Sequence, residues 1–149
     1  QDATGLYCKF GNERLLVDQV AMDRHPGLAD WVGKDIVKGI RPGNFEATAV
    51  TGPAPDRTIT SAITVAEILG SETFVHFELE IPPVITPDIE ELLADTGADT
   101  ASLGHTTKFT ARVSSDVPVS LGDEMSVTVD TTKMHFFDPV SGMRLGAKE

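Results

Sequence analysis

Few stretches of this sequence carry residues at spacings that chemistry requires. The nearest approach to a phosphate-cradling loop runs from Gly27 to Asp35. Such a loop sets successive backbone N–H groups at a helix start and adds a Lys and a Mg2+-binding hydroxyl. Here five residues separate Gly27 from Gly33 where the motif has four, Lys34 is followed by Asp35 instead of Ser or Thr, and no strand leads into the glycines. The string reads as a surface turn. His25, His76, His105 and His135 each stand alone: none is three to five residues from another His or Cys, so no local metal pair exists. No Gly-x-Ser-x-Gly nucleophile elbow occurs. Carboxylates are plentiful, but their spacing singles out no acid–base pair. Ser71-Glu72 and Asp138 fall at turns, where turn chemistry accounts for them. Cys8 sits in an alternating, strand-like stretch from Leu6 to Phe10 and reads as buried filler. The chain is therefore expected to have no catalytic residue, cofactor or metal of its own.

The elements that would carry these residues are mostly strands. Leu6 to Phe10 and Arg14 to Val17 form a hairpin around Gly11-Asn12. Pro26 to Trp31 is a short helical turn with Pro26 in its first turn and Gly33 beyond its end. Asp35 to Ile40 is a strand stopped by Arg41-Pro42-Gly43, and Thr51 to Asp56 is a loop by composition. Thr58 to Leu69 is rich in Ile, Val and Thr, but its apolar residues do not alternate cleanly, which predicts a bulge. After the turn at Gly70-Ser71, Thr73 to Glu80 puts Val75, Phe77 and Leu79 on one face. Ile81 to Leu103 is an insert holding a helix, with Thr86 as cap, Pro87 at the first position, Asp88, Glu90 and Glu91 at its positive end, and Gly97 as stop. Thr107 to Val113, Met125 to Val129 and Met134 to Phe137 complete the strands. Short strands broken by Gly and Pro turns predict a mainly all-β small barrel or sandwich.

Composition narrows the partners. The chain has 149 residues and a net charge of −11, with its basic residues scattered. Such a charge repels phosphate backbones, so nucleic acid is not an expected partner. A single cysteine cannot close an internal disulfide and suits a reducing compartment. No stretch approaches the 18 apolar residues of a membrane span. The opening Gln1-Asp2-Ala3 lacks an initiator Met and a charged-then-apolar leader. The chain is expected to be an interior piece of a longer protein, with any membrane association made through a partner.

Three segments read together. Gly39-Ile40-Arg41-Pro42 ends a strand, Ile68 to His76 turns between two strands through Leu69-Gly70-Ser71-Glu72-Thr73, and Met134 to Gly142 contains His135-Phe136-Phe137-Asp138-Pro139. In this order and at these separations they resemble the C-terminal TOBE-containing region of ABC importer ATPases of the maltose and glycerol-phosphate type. That family shows Gly-Ile-Arg-Pro-Glu-His, Leu-Gly-Ser/Asn-Glu-Thr and His-Leu-Phe-Asp-Pro-Glu-Thr-Gly. The strand Phe109 to Val113 and the turn Gly122-Asp123 are also similar, and the resemblance covers nearly the whole chain. Gly43-Asn44 departs from the usual Glu-His, and Pro82 to Leu103 is longer than in the shortest family members.

The resemblance implies two OB-like barrels interleaved in sequence, residues 1–50 with 125–149 forming one and 51–124 the other. It implies a regulatory and dimerisation region that receives partners, downstream of a nucleotide-binding domain that uses ATP and Mg2+ and is not contained here. The partners it implies are a second copy of the ATPase subunit, the membrane subunits of a carbohydrate or glycerol-phosphate importer and a regulatory protein, at the cytoplasmic face of the membrane. Arg41, Glu72, His135 and Asp138 are the regulatory or interface candidates. Related TOBE domains sense oxyanions, which makes a small-molecule sensor of oxyanions or sugars the alternative.

Overall fold

The computed structural model describes residues 5–146. The opening Gln1-Asp2-Ala3, read above as interior to a longer protein, lies outside them. The described chain is mainly β, as its sequence predicts, with one sheet curled into a half-barrel of OB-like character.

The strands β1 (Tyr7–Phe10) and β2 (Glu13–Leu16) pair as a hairpin with Phe10 opposite Glu13. Its two-residue loop places Gly11 at φ +56°, where an L side chain is strained, and a Cβ there would lie 3.0 Å from the Glu80 carbonyl oxygen. Asp18 then caps a helix, α1 (Gln19–Arg24), by accepting the Val20 N–H at 2.9 Å. A 3-10 turn follows at Pro26–Trp31, the segment the sequence marked. The strand expected over Asp35 to Ile40 is shorter, β3 (Val37–Gly39), and a second 3-10 turn occupies Pro42–Asn44. β4 (Phe45–Ala47) and a one-turn helix, α2 (Thr48–Thr51), come next.

The longest strands follow: β5 (Thr58–Leu69), β6 (Glu72–Leu79) and β7 (Thr107–Ser114). The expected bulge lies in β5, where the register to β6 shifts between Ile63 and Val65. Thr73, Val75, Phe77 and Leu79 point inward along β6. Between β6 and β7 lies α3 (Pro87–Thr96), capped by Thr86 and ended by Gly97 in the left-handed conformation, as its sequence requires. No residue of α3 is buried, so it stands on the surface. β8 (Glu124–Val129) and β9 (His135–Phe137) complete the chain.

The five-stranded sheet has the order β4-β8-β5-β6-β7, all neighbours antiparallel. β8 bonds to β4 on one side and β5 on the other, so residues assigned above to different units share one sheet. The sheet curls until its edges β4 and β7 pack together, and a side chain joins them: the Glu46 carboxylate accepts the Ser114 N–H at 2.9 Å. β3 pairs antiparallel with β9 in a separate two-stranded sheet. The buried residues form one cluster, centred on Leu15, Ile59, Val75, Val113, Val129, Met134 and Phe136. An aromatic series crosses it from hairpin to sheet: Phe10 stacks on Phe109 at 6.4 Å, Phe109 on Phe77 at 5.7 Å, and Phe77 meets Phe45 edge-on at 6.2 Å.

Candidate functional site

Two of the three segments that carry the resemblance meet at β3. Gly39 on β3 lies opposite His135 on β9, and Val37 opposite Phe137. A Cβ on Gly39 would sit 3.3 Å from the Phe137 ring, so glycine fits the close approach of the two strands. Past β3, Arg41 is extended (φ −76°, ψ 147°), as a residue before proline must be, and its carbonyl accepts the Asn44 N–H at 2.9 Å. The Arg41 side chain is exposed.

Glu72 opens β6 and pairs with Arg112 of β7. The Arg112 guanidinium lies 3.0 Å from the Glu72 carboxylate. A Cβ on Gly43 would lie 3.1 Å from an Arg112 terminal nitrogen. The guanidinium thus lies against the backbone at Gly43, where the resembled family has a glutamate. Arg112 is a functional candidate that sequence reasoning passed over; the only signal was its place in the strand Phe109 to Val113.

His135 is half-buried on β9. Burial holds its imidazole below its ordinary pKa, and the nearby charges of Arg144, Arg41 and Arg24 push the same way, with His25 adding to them. Asp138 is committed elsewhere. Its carboxylate accepts the Ser141 hydroxyl at 2.7 Å and the Val140 N–H at 2.8 Å, and these bonds hold its pKa low. The Asp138 backbone bonds Met143 and Gly142. The structure therefore places Arg41 within electrostatic reach of His135, pairs Glu72 with Arg112 beside Gly43, and ties Asp138 into its own turn.

Cys8 is buried on β1, and burial raises its thiol pKa despite the neighbouring Lys38, which hydrogen-bonds it. The Lys38 ammonium donates to the Lys9 carbonyl at 3.1 Å and lies 4.4 Å from the Phe10 ring centre; burial lowers its pKa. This arrangement fixes β3 against the hairpin and leaves the thiol protonated. Among the described residues, no three His, Cys, Asp or Glu side chains gather closely enough to hold a metal ion. Among the same residues, no helix is long and apolar enough to cross a membrane.

Comparison with known proteins gives a consistent set of relatives, although no family model matches the chain. It is 28% identical over 147 residues to the trehalose import ATP-binding protein SugC of Mycobacterium tuberculosis, a match covering 96% of this chain and 35% of that protein. It is 26% identical over 140 residues to the oligosaccharides import ATP-binding protein MsmX of Bacillus subtilis, covering 92% of this chain and 31% of that one. A third relative is the sulfoquinovosyl glycerol transport ATP-binding protein SmoE of Agrobacterium fabrum, 31% identical over 108 residues, with 71% of this chain and 22% of that protein covered. The chain spans about a third of the length of the first two. Over nearly its whole length, then, this chain is a homologue of part of the ATP-binding proteins of sugar ABC importers.

Proposed function

We propose that this chain is the C-terminal regulatory and dimerisation region of the ATP-binding subunit of an importer for a carbohydrate or glycerol-phosphate. One observation carries the reading: nearly all of the chain aligns with such subunits, yet it accounts for only about a third of their length. The remaining length accommodates a nucleotide-binding domain that would hold ATP and Mg2+. The near-loop from Gly27 supports the same division, because Pro26–Trp31 is a 3-10 turn and not the N-terminus of a long helix. In this reading the assembled importer sits at the cytoplasmic face of the membrane, held there by its membrane subunits. A second copy of the subunit meets this region across a two-fold axis, and a regulatory protein docks on it. Arg41, His135, Glu72 and Arg112 form the patch for those contacts, while Asp138 shapes the turn beside them.

Two measurements test this. Calorimetric titration of the chain with ATP and Mg2+ is expected to show no heat of binding, and micromolar affinity would overturn the assignment. Sedimentation equilibrium is expected to show a monomer at micromolar protein and a weak two-fold dimer at higher concentration. A chain of charge −11 meets its own copy against net repulsion, which salt screens over about 8 Å at physiological strength. Added salt should therefore strengthen the dimer. A tight nanomolar dimer, or no association at millimolar protein, would contradict the reading.

A further inference from the structure

The six arginines of the chain divide into two sets. Arg14, Arg57 and Arg112 each meet a carboxylate, those of Asp56, Asp18 and Glu72. Arg24, Arg41 and Arg144 are exposed, and none of them pairs with a carboxylate among the described residues. Acids outnumber bases 23 to 12 in the whole chain, so the lack of a partner does not follow from a scarcity of acids. The three arginines without one are gathered at a single place: the charges of Arg144, Arg41 and Arg24 all bear on His135.

The strands fix their positions. β9 alternates, with Phe136 buried and the half-buried His135 and Phe137 on the outer side. Arg144 lies directly opposite Phe137 in an antiparallel bridge and shares that outer side, while the next residue, Leu145, donates its N–H to the Phe136 carbonyl at 2.8 Å. Along the other edge of β9, Gly39 faces His135, and the extended Arg41 follows two residues later. Arg24 donates to the Thr132 carbonyl at 2.8 Å, just before β9 begins. Arg144 and Arg41 thus stand four residues apart along the strand direction, roughly 13 Å at the rise of a β-strand, with His135 between their levels. The acids nearest in sequence are already engaged, Asp130 by Lys133 at 2.9 Å and Asp138 by Ser141 and Val140. Asp88, which borders a cavity with Phe137, pairs with none of the three arginines.

We infer that this strip docks an acidic segment of a partner protein, laid extended along the outer side of β9. Each guanidinium offers a planar fork that matches a carboxylate, and clusters of arginine are a recurrent means of recognising acidic segments. An extended segment carrying carboxylates along about four residues matches the length of the strip, and one small anion does not. Nucleic acid and anionic lipid present dense phosphates over a wide surface, and a chain of net charge −11 repels them. A short segment meets the strip and little else. That the segment belongs to a regulatory protein rests on the importer reading above; its charge and length rest on the strip alone.

The full chain, isotopically labelled for NMR, is titrated near physiological salt, where screening over about 8 Å mutes repulsion from the rest of the surface. The probes are hexaglutamate, free glutamate and oligouridylate. Hexaglutamate is expected to shift the backbone amide signals of Arg41, His135 and Arg144, saturating at roughly millimolar concentration or below, and to leave those of Lys9 and Lys34 in place. Free glutamate should bind at least about tenfold more weakly. The double variant Arg41→Gln/Arg144→Gln should lose about tenfold or more in affinity for hexaglutamate. Lys9→Gln/Lys34→Gln removes the same charge from outside the strip and should bind as the unaltered chain does. All four side chains are exposed, and the amide spectra verify that the variants fold. No saturable shift with hexaglutamate, shifts scattered over the surface, or equal losses in the two double variants would overturn the strip. Free glutamate binding as tightly as hexaglutamate would overturn the extended segment, and oligouridylate binding more tightly at the same amides would replace the acidic protein with nucleic acid. A chain that shows the expected shifts but fails to self-associate in the sedimentation series keeps the strip and loses the dimer.

Discussion

The Glu72 carboxylate meets the Arg112 guanidinium at 3.0 Å, and that guanidinium in turn lies against the backbone at Gly43. Two sequence segments nearly thirty residues apart are thereby tied together by a side chain from a third. Both partners are 44% exposed, so water screens the attraction. Glu72→Gln is expected to cost less than about 1 kcal/mol of stability, and the loss should shrink at high salt. Urea unfolding of both proteins at low and high salt measures it. A salt-independent loss of several kcal/mol would show that the pair acts as a buried one.

Glu46 carries a heavier structural duty. One of its oxygens accepts two backbone N–H groups, Ala47 at 2.8 Å and Ser114 at 2.9 Å. Glu46→Ala strands both donors at the seam of the curled sheet and should cost about 1–3 kcal/mol. Glu46→Gln keeps a carbonyl oxygen there and should cost less. Denaturant midpoints of the two variants check the order, and equal losses would sink this account of the seam.

Phe136 tests the packing beneath β9. It is fully buried, and the His25 ring meets it edge-on at 5.2 Å. Phe136→Ala should destabilise the fold by about 3–5 kcal/mol. The same side chain lines a cavity beside the hairpin, so hydrogen exchange in β1 and β2 should accelerate in this variant. Unchanged protection in those strands would mean that the hairpin does not depend on β9.

Stability should also depend on pH in a defined direction. His135 has a folded pKa below its ordinary value of about 6.5. The unfolded state therefore binds the proton more readily, and stability rises with pH through this window. The contribution is fully present above about pH 6.5 and is lost as pH falls toward the folded value. Asp138 acts with the same sign at lower pH: its depressed pKa gives stability that is present above about pH 4 and lost on further acidification. Thermal unfolding between pH 7 and 3 should show both losses. His135→Asn should remove the upper one and Asp138→Asn should reduce the lower, to which Asp130, its pKa also held low, contributes as well. An upper loss of equal size in His135→Asn would clear His135 of any part in it.

Long strands and well-marked caps were legible in the sequence. β6 alternates over eight residues, so its inward face could be read directly, and the broken alternation of β5 marks a real bulge. Thr86, Pro87 and Gly97 specify α3 because each sets a local backbone requirement. The helix α1 escaped because six residues are too few to show a period, and its cap, Asp18, also binds Arg57 at 2.8 Å, a partner 39 positions away. β4 has only three residues and gains its strand identity from β8. At the candidate patch, Arg41 could be picked out because Pro42 constrains it. Arg112 could not, because its role depends on Glu72 and Gly43 being folded against it.

The pairing of β3 with β9 has a temporal consequence. Gly39 and His135 are almost a hundred positions apart, so a growing chain exposes one long before the other exists. At about 5–20 residues per second, β3 waits roughly 5–20 seconds on the ribosome for its partner. β5, β6 and β7 can pair earlier, because their contacts join successive strands. Until β7 brings Phe109 to Phe10, the inner side of the hairpin, with Cys8, Phe10 and Leu15, faces water or a chaperone. β9 thus closes the structure around β1, β2 and β3, and a nascent chain stalled before residue 135 holds those strands incompletely folded.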